Sequence, residues 1–373
     1  MFTVTMLPAS VGDCLWIEYG DELKPNRILI DCGTPPTYRE HLRKRIEAVG
    51  SRADFELLIV THVDTDHIGG VLPLFDEPPA NMRIAEVWFN AWAQITPGAL
   101  DLLGPKDGEI LAKQLTSNRF PWKTQFRWNT RFGTRGRAPA AIRTTGRLPS
   151  YTLAGGMKLT VLSPDKTQLE RLRGVWEKVC REAGLTPGVP SSRLDEIAKQ
   201  KGVDFLGTRD PVKELAETKT DPDETEANGS TIAVLAEYKD SGVTKRFILA
   251  GDAHGDVLAP SLERLARERG QQRLQADAFK LPHHGSERNV TREVIEAVDC
   301  KRFLFSSNST VFKSPHPHAV AVARAIHYSD PGTTLFFNYR TKINDDWDNA
   351  QWMRRYRYDV DYGDEIGTCE VAI

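Results

Sequence analysis

Residues 61–70 read Thr61-His62-Val63-Asp64-Thr65-Asp66-His67-Ile68-Gly69-Gly70. The decapeptide places two imidazoles and two carboxylates directly after an apolar run, residues 57–60. A short apolar run that contains β-branched residues predicts a buried strand, so the polar side chains lie in a loop at its carboxyl end. Polar groups without partners at the edge of a core are costly, whereas imidazole and carboxylate are common ligands of divalent metals. The stretch therefore predicts a metal site and not an ordinary polar loop.

Four further stretches combine Asp or His with glycine beside apolar residues. They are Gly12-Asp13-Cys14-Leu15, Ile28-Leu29-Ile30-Asp31-Cys32-Gly33, Phe247-Ile248-Leu249-Ala250-Gly251-Asp252 and Lys280-Leu281-Pro282-His283-His284-Gly285-Ser286. Alternating strands, loops and helices of this kind predict an α/β architecture. Ligands carried at several strand ends converge where the loops cluster on one face of such a fold.

These stretches together resemble the metallo-β-lactamase superfamily, whose signature is H-x-H-x-D-H. Asp64 replaces the second His here, and H-x-D-x-D-H followed by Gly-Gly resembles the branch that contains the soluble domain of the DNA-uptake protein ComEC. The recognisable spans are residues 1–75 and 228–340. The resemblance implies a four-layer αβ/βα metallo-β-lactamase sandwich with insertions. We expect one domain, 1–373, with a basic-aromatic insertion around 96–150 and a helical, polar insertion around 165–227.

The resemblance also implies a centre of two divalent metal ions, zinc or manganese. Two such ions need a shared carboxylate to hold them about 3.5–4 Å apart, and Asp252 is the candidate for that bridge. The expected ligands are His62 and Asp64 for one ion, and Asp66, His67 and His283 for the other. Asp31 is expected to orient a ligand or the bound water. Asp66 and His284 are expected to have catalytic roles, in orienting the nucleophile and in assisting the leaving group.

The first of these two sites departs from the superfamily pattern because no histidine occurs between His67 and His254. Asn228-Gly229-Ser230 precedes a predicted strand there, and the ComEC branch has a similar Asn and Ser. An oxygen-rich site suits harder ions such as manganese. The sequence alone leaves the choice between zinc and manganese open.

The roles of several histidines stay open at this level. Either His283 or His284 is the metal ligand, with His283 preferred, and the other contacts a phosphate, protonates a leaving group or bonds within the loop. Either His316 or His318 faces the site from the start of a helix predicted over residues 319–326. His254 lies in the second shell or at the surface. Ser286 and Asn228 are expected to contact substrate.

Composition restricts the class of protein. The chain has 373 residues, is 40% hydrophobic and 27% charged, and contains five scattered cysteines. These values predict a soluble globular protein with reduced thiols. No apolar run approaches the roughly 18 residues that span a bilayer, and no signal peptide is visible. We therefore expect a cytoplasmic protein without membrane contact.

Charge is unevenly distributed although the net charge is only −2. Residues 110–164 contain no Asp or Glu but ten cationic residues: Lys113, Arg119, Lys123, Arg127, Arg131, Arg135, Arg137, Arg143, Arg147 and Lys158. Aromatic residues are interleaved with them between residues 120 and 132. Such a segment can neutralise phosphates and stack unpaired bases, with Arg127 and Arg131 as candidate contacts. The alternative is an ordinary insertion with packed aromatics and solvated arginines.

A second segment, residues 221–226, is acidic and rich in turn-forming residues. We expect a solvated loop near the mouth of the site. The alternative is that one of its carboxylates supplies a ligand to the oxygen-rich metal site.

The predicted function is metal-dependent hydrolysis by an activated water, most naturally of a phosphodiester in DNA or RNA. One alternative is a hydrolase of small molecules such as lactones, thioesters or cyclic nucleotides. Another is an effector subunit that needs protein partners in a larger system, for example an anti-phage defence assembly. A non-enzymatic scaffold is disfavoured because it would not need so complete a set of ligands.

Overall fold

The computed structural model describes residues 1–50, 52–95, 106–116, 127–129, 140–182, 211–309 and 316–373. One sheet has the strand order β19-β1-β2-β3-β5-β7-β8. Its strands are β1 (Phe2–Met6), β2 (Leu15–Gly20), β3 (Pro25–Ile30), β5 (Leu57–Ile59), β7 (Glu86–Trp88), β8 (Arg127–Trp128) and β19 (Cys369–Ala372). The C-terminal strand β19 pairs with β1, so the chain ends on the sheet in which its first strand lies.

The second sheet has the order β18-β17-β16-β14-β12-β11-β10-β9. Its strands are β9 (Ser150–Thr152), β10 (Lys158–Ser163), β11 (Ala233–Asp240), β12 (Val243–Leu249), β14 (Ala278–Lys280), β16 (Arg302–Phe305), β17 (Thr333–Phe337) and β18 (Tyr358–Tyr362). Two short pairs complete the strands of the described residues: β4 (Ala53–Phe55) with β6 (Met82–Ile84), and β13 (Leu274–Gln275) with β15 (Val298–Asp299).

The helices are distributed along the whole chain. They are α1 (Pro35–Thr37), α2 (Arg43–Ala48), α3 (Thr65–Ile68), α4 (Val71–Asp76), α5 (Trp92–Ile95), α6 (Lys106–Thr116), α7 (Lys166–Glu182), α8 (Pro211–Ala216), α9 (Glu226–Gly229), α10 (Gly255–Glu268), α11 (Arg292–Glu296), α12 (Ala319–His327) and α13 (Ala350–Tyr356). A π-helical turn, Tyr38–Leu42, joins α1 to α2, and 3₁₀ turns cover Pro282–Gly285 and Asp345–Trp347.

Side-chain alternation along the strands produces four layers. Leu57 and Ile59 of β5 belong to the core between the two sheets, whereas Leu58 belongs to the core that α2 and α4 cover. In the second sheet, Phe247 faces the other sheet, and Ile248 belongs to the core beneath α10, α11 and α12. Successive residues of a strand point to opposite faces, so each sheet packs against its partner on one side and helices on the other. The predicted four-layer αβ/βα sandwich is confirmed.

Parallel strands bring the predicted site residues to one edge. β3 and β5 run parallel in the first sheet, and β12, β14 and β16 run parallel in the second. Polar residues follow the carboxyl end of each: Asp31, His62, Asp252, His283 with His284, and Ser306. The two edges meet, since Ile232 N donates a 3.0 Å hydrogen bond to Thr61 O across the sheets.

Among the described residues, no helix is both long and apolar enough to cross a bilayer.

Candidate metal centre

Four imidazole rings surround the carboxylate of Asp252. Oδ2 of this residue lies 3.9 Å from Nε2 of His62, 3.4 Å from that of His67, 3.8 Å from that of His283 and 3.6 Å from that of His284. The sequence predicted Asp252 as the bridging ligand, and the structure places it at the point where residues from both sheets converge. All four rings present the same nitrogen to it.

Two of these rings, those of His62 and His67, follow strand β5, and one hydrogen-bond network contacts the Nδ1 atoms of both. Asp31 Oδ2 lies 2.8 Å from His67 Nδ1 and accepts a 2.6 Å hydrogen bond from Thr61 Oγ1. That hydroxyl lies 2.9 Å from His62 Nδ1. Asp31 also accepts from Thr61 N at 2.8 Å, so its position is fixed by backbone as well as side chain. Both rings thereby have their Nδ1 atoms occupied and their Nε2 atoms free to face the centre.

His284 is held by a second, fully buried network. Its Nδ1 lies 3.1 Å from Ser306 Oγ and 3.5 Å from Asp13 Oδ1. Ser306 donates to the same carboxylate, whose other oxygen accepts a 2.7 Å hydrogen bond from Lys280 Nζ. Asp13 precedes β2 and Lys280 ends β14, so this ion pair crosses from one sheet of the sandwich to the other.

His283 has different polar partners from its neighbour His284. Its Nδ1 lies 3.0 Å from Asn289 Oδ1 and 3.3 Å from Asp223 Oδ2. Both histidines have left-handed backbones, with φ of 48° for His283 and 54° for His284. A positive φ is uncommon for residues other than glycine and marks a constrained loop. The two rings stand at 73° to each other with centroids 5.9 Å apart, and of the two only His283 retains exposed surface in its side chain, 19%.

The carboxylates of Asp64 and Asp66 complete the centre on its more exposed side. Asp64 Oδ2 lies 3.5 Å from His62 Nε2. Asp66 Oδ2 lies 3.7 Å from His284 Nε2 and 3.9 Å from His67 Nε2. The segment that contains Asp66 packs tightly against the loop before β2. A Cβ added to Gly12 of that loop would come within 1.6 Å of Asp66 O. Only glycine permits that approach.

The charges of the centre attract cations. Burial alone would lower the pKa of His67, yet the carboxylates of Asp252, Asp66 and Asp31 raise it well above its ordinary value. Burial likewise opposes ionisation of Asp252, but the surrounding histidines hold its pKa well below its usual range. A pocket that concentrates carboxylates and holds protons on imidazoles also favours a divalent cation in their place.

The donor set fits such an ion. Among the described residues, His62 Nε2 and Asp252 Oδ1 are buried without a hydrogen-bond partner. Three overlapping groups bring ligand atoms within 4.8 Å of one another: His62-His67-Asp252, Asp66-His67-His284 and Asp13-Asp252-His284. Buried polar atoms are rarely left unpaired, so these atoms point to a missing common partner. Mixed imidazole and carboxylate donors are suitable for zinc or manganese.

The comparison with known protein families agrees with this geometry. Residues 9–106 match the family model of the metallo-beta-lactamase superfamily. No curated protein matches the sequence.

Solved metallo-β-lactamase structures resemble the chain at low identity. One is MEM-A1, a subclass B3 enzyme from a soil metagenome library, with 11% identity, a TM-score of 0.30, and coverage of 75% of this chain and 79% of that chain. Another is a β-lactamase from Chitinophaga pinensis, with 13% identity, a TM-score of 0.29, and coverage of 75% and 78%.

The structure separates the two histidines at the start of α12. His316 is buried, and its ring centroid lies 5.1 Å from that of His283. His318 is the N-cap of α12, and its Nδ1 accepts a 3.3 Å hydrogen bond from Val320 N. His316 therefore lies beside His283 at the candidate centre, while His318 caps the helix.

The remaining residues that were predicted to contact substrate differ in where they lie relative to the centre. Ser286 is buried, and its hydroxyl accepts from Arg288 N at 3.2 Å, within its own loop. Asn228 lies beside the centre, with Nδ2 donating to Asp223 Oδ2 at 2.7 Å. Arg127 lies in β8, at the edge of the first sheet. Arg131 and most of the basic-aromatic segment lie outside the described residues.

Three expectations about the acidic and histidine-rich segments need correction or refinement. The expectation of a solvated loop over residues 221–226 is wrong for Asp223, which is buried against His283. His254 is also buried, so it is not a surface residue, and its Nε2 lies 3.9 Å from Asp223 Oδ1. His284, and not the preferred His283, joins Asp66 and His67 in one compact ligand group.

Sequence reasoning assigned no role to Asp13 and Lys280, although both lie in stretches that it singled out. Lys280 ends a strand that is otherwise apolar, and a charged residue in a buried strand requires a partner. That pattern was the available signal for a buried ion pair. Its partner, 267 residues earlier in the chain, is visible only in the fold.

Proposed function

We propose that the protein is a dinuclear metal-dependent phosphodiesterase that hydrolyses DNA or RNA. The observation that carries the hydrolase assignment is the convergence of four imidazole Nε2 atoms on Asp252. His62 and Asp64 would hold one ion, Asp66, His67 and His284 would hold the other, and Asp252 would be available to both. The ions supply an activated water and stabilise the charge that develops on the attacked phosphate.

The protein's own groups have distinct tasks in this proposal. Asp31 and Asp13 lie behind the ligand imidazoles and fix their orientation, which strengthens metal binding. The rings of His283 and His316 lie next to each other, with centroids 5.1 Å apart, and His283 keeps contact with solvent. We assign to His316 the contact with a phosphate oxygen or the leaving group. His283, whose Nε2 is directed at Asp252, is assigned a further ligand position for the ions.

The choice of a polynucleotide is supported by the resemblance to the ComEC branch and by the acid-free segment of residues 110–164. Cationic residues there neutralise phosphates, and the interleaved aromatics stack on bases. Within this segment, Lys113 and Arg147 are exposed, as such a role requires.

The test is a cleavage assay on labelled single- and double-stranded DNA and RNA, in manganese, in zinc and in EDTA. We expect metal-dependent cleavage by the wild type and a loss of more than about 100-fold in Asp66→Asn, since even outer-shell partners of a metal are worth about 10–100-fold. Asp54→Asn, an exposed carboxylate on β4, is the matched control.

Hydrolysis of lactones, thioesters or cyclic nucleotides should be measured in parallel with the same variants. Metal-loaded protein that hydrolyses one of these rapidly, and no nucleic acid, would contradict the proposed substrate. It would leave the metal-dependent chemistry in place.

A further inference from the structure

One buried guanidinium joins the segment before Asp223 to the loop after His284. Arg324 of α12 is only 5% exposed. It donates to Thr218 O at 2.7 Å, to Thr220 Oγ1 at 3.1 Å and to Ala216 O at 3.3 Å. It also donates to the carbonyls of residues 287 and 290, at 2.7 Å and 3.0 Å. The planar fork of an arginine fixes several acceptors at once, so these two segments are held in one register.

The segment thus held delivers Asp223 to the metal centre. Its Oδ2 accepts from Asn228 Nδ2 at 2.7 Å and from Asn289 Nδ2 at 3.0 Å, and lies 3.3 Å from His283 Nδ1. Its Oδ1 accepts from the backbone and hydroxyl of Thr225 at 3.0 Å and 2.8 Å. A buried carboxylate with this many donors is fixed in position as well as charge-compensated.

The neighbouring acids behave differently. Asp221 and Glu224 are exposed, whereas Asp223 is buried, although all three lie within four residues. A loop that served only as a solvated connection would not need to bury one carboxylate. Burial against His283 therefore distinguishes Asp223 from the acidic residues on either side of it.

The contact fixes the proton on one ring nitrogen of His283. Nδ1 lies 3.0 Å from Asn289 Oδ1 and 3.3 Å from both Asp223 Oδ2 and Asn228 Nδ2. Asn228 Nδ2 donates to Asp223 Oδ2 at the shorter distance of 2.7 Å, so the two oxygens decide the tautomer and Nδ1 carries the hydrogen. The lone pair of the neutral ring is then on Nε2, which is the atom directed at Asp252. Asp31 does the same for His67. A carboxylate behind an imidazole is the usual outer-shell arrangement at a metal site.

We propose that Asp223 is a positioning residue of the metal centre, which acts through His283 by holding its Nε2 towards Asp252 and the bound ions. This rests on the proposed metal binding but not on the nature of the substrate. The acidic segment of residues 221–226 is then part of the centre, and Arg324 is the group that secures it.

The experiment measures metal affinity without any substrate. Chelator-stripped wild type and Asp223→Asn are titrated with zinc and with manganese in competition with a chromophoric chelator. We expect the affinity for at least one ion to fall by about 10–100-fold in Asp223→Asn. Glu224→Gln and Asp221→Asn, from the same segment, remove an exposed carboxylate each and are expected to bind like the wild type.

A double-variant cycle tests whether Asp223 acts through His283. If it does, Asp223→Asn has little further effect in a His283→Gln background, because the anchored ring is already absent. Equal metal affinity in the wild type and Asp223→Asn, or two fully additive losses, would overturn the proposal.

A measurement on the wild type keeps the proposal testable should Asp223→Asn fail to fold. Nitrogen NMR of histidine-labelled protein reports which ring nitrogen carries the proton. A protonated Nδ1 in His283 supports the proposal, and a proton held on Nε2 alone contradicts it. Failure of the wild type to bind any metal would instead contradict the proposed function, so the two failures are distinguishable.

Discussion

The Nε2 atoms of His67 and His284 lie 3.3 Å apart at the centre of the buried site. Polar partners lie at the Nδ1 atom of each ring: Asp31 for His67, and Ser306 and Asp13 for His284. Because the anchors occupy both Nδ1 atoms, the rings cannot turn away from each other without losing buried hydrogen bonds. Two lone pairs facing one another at this distance would repel, and either a proton or a divalent cation between the two nitrogens would remove that repulsion.

Metal binding is therefore expected to stabilise the protein. A ligand present at about a thousandfold its Kd stabilises the native state by about 4 kcal/mol. We expect zinc or manganese to raise the Tm of chelator-treated protein, and EDTA to lower that of metal-loaded protein, in thermal unfolding followed by circular dichroism. Asp252→Asn should lose this metal-dependent change in Tm. An equal change in that variant would place the ions elsewhere on the protein.

Asp31 should matter for metal affinity more than for folding. Asp31→Asn retains a hydrogen-bonding side chain but removes the charge that orients His67 and Thr61. We expect metal affinity to fall by about 10–100-fold, measured by chelator competition. Asp54→Asn provides the comparison, since Asp54 is exposed and, among the described residues, forms an ion pair with Arg52 alone. Unchanged metal binding in Asp31→Asn would exclude this role.

The ion pair between Asp13 and Lys280 should be costly to break from one side. Burial opposes ionisation of Asp13, yet Lys280 and His284 hold its pKa well below the usual range. Lys280→Met leaves that carboxylate buried without its main partner, so we expect a loss of about 3–5 kcal/mol in the free energy of unfolding. Urea denaturation measures it.

The double variant Asp13→Asn/Lys280→Met is expected to recover much of that stability, because no uncompensated charge remains. Its metal affinity should stay low, since the anchor of His284 is altered. A single Lys280→Met with wild-type stability would show that the charge is relieved in another way.

His318 is expected to stabilise α12 without acting on the metals. Burial lowers the pKa of its ring, which keeps Nδ1 free to accept from Val320 N. His318→Ala should cost about 0.5–2 kcal/mol in the free energy of unfolding, as for other N-cap losses, while His318→Asn should retain most of the stability. Catalytic rates should be unaffected in His318→Asn and reduced in His316→Ala. The opposite pattern would reverse the roles given to the two histidines.

The local part of the site could be predicted from sequence, and the long-range part could not. His62, Asp64, Asp66 and His67 form a continuous pattern after a recognisable strand, so chemistry and spacing are sufficient to predict a metal loop. The orientation of His283 depends instead on a left-handed backbone. A rule based on residue type does not predict that conformation for histidine.

The residues that contact the Nδ1 atoms of the rings were likewise difficult to predict from sequence. Asp13 reaches Lys280 across the sandwich, and Arg324 donates hydrogen bonds to the segment that precedes the buried Asp223. Neither contact has a local signature, since an acidic, turn-rich segment is ordinarily solvated. The four-layer fold could be expected because the strand-end stretches resemble a known superfamily, whereas alternating strands, loops and helices alone predict only an α/β architecture.

Glu109 of α6 is expected to give the fold a pH dependence of its own. Burial raises the pKa of its carboxyl group from 4.5 to about 9, and Trp176 Nε1 donates to it at 3.4 Å. The unfolded chain releases this proton near pH 4.5, whereas the folded protein retains it until about pH 9. The folded state thus binds more protons across that window, so this group's contribution to stability falls as pH rises through it.

In urea denaturation at pH 5, 7 and 9, the stability of Glu109→Gln relative to the wild type should therefore increase with pH. Glu22→Gln, an exposed change in the turn between β2 and β3, controls for the loss of one carboxylate. A constant difference between Glu109→Gln and the wild type at all three values would show that Glu109 is ionised in the folded protein.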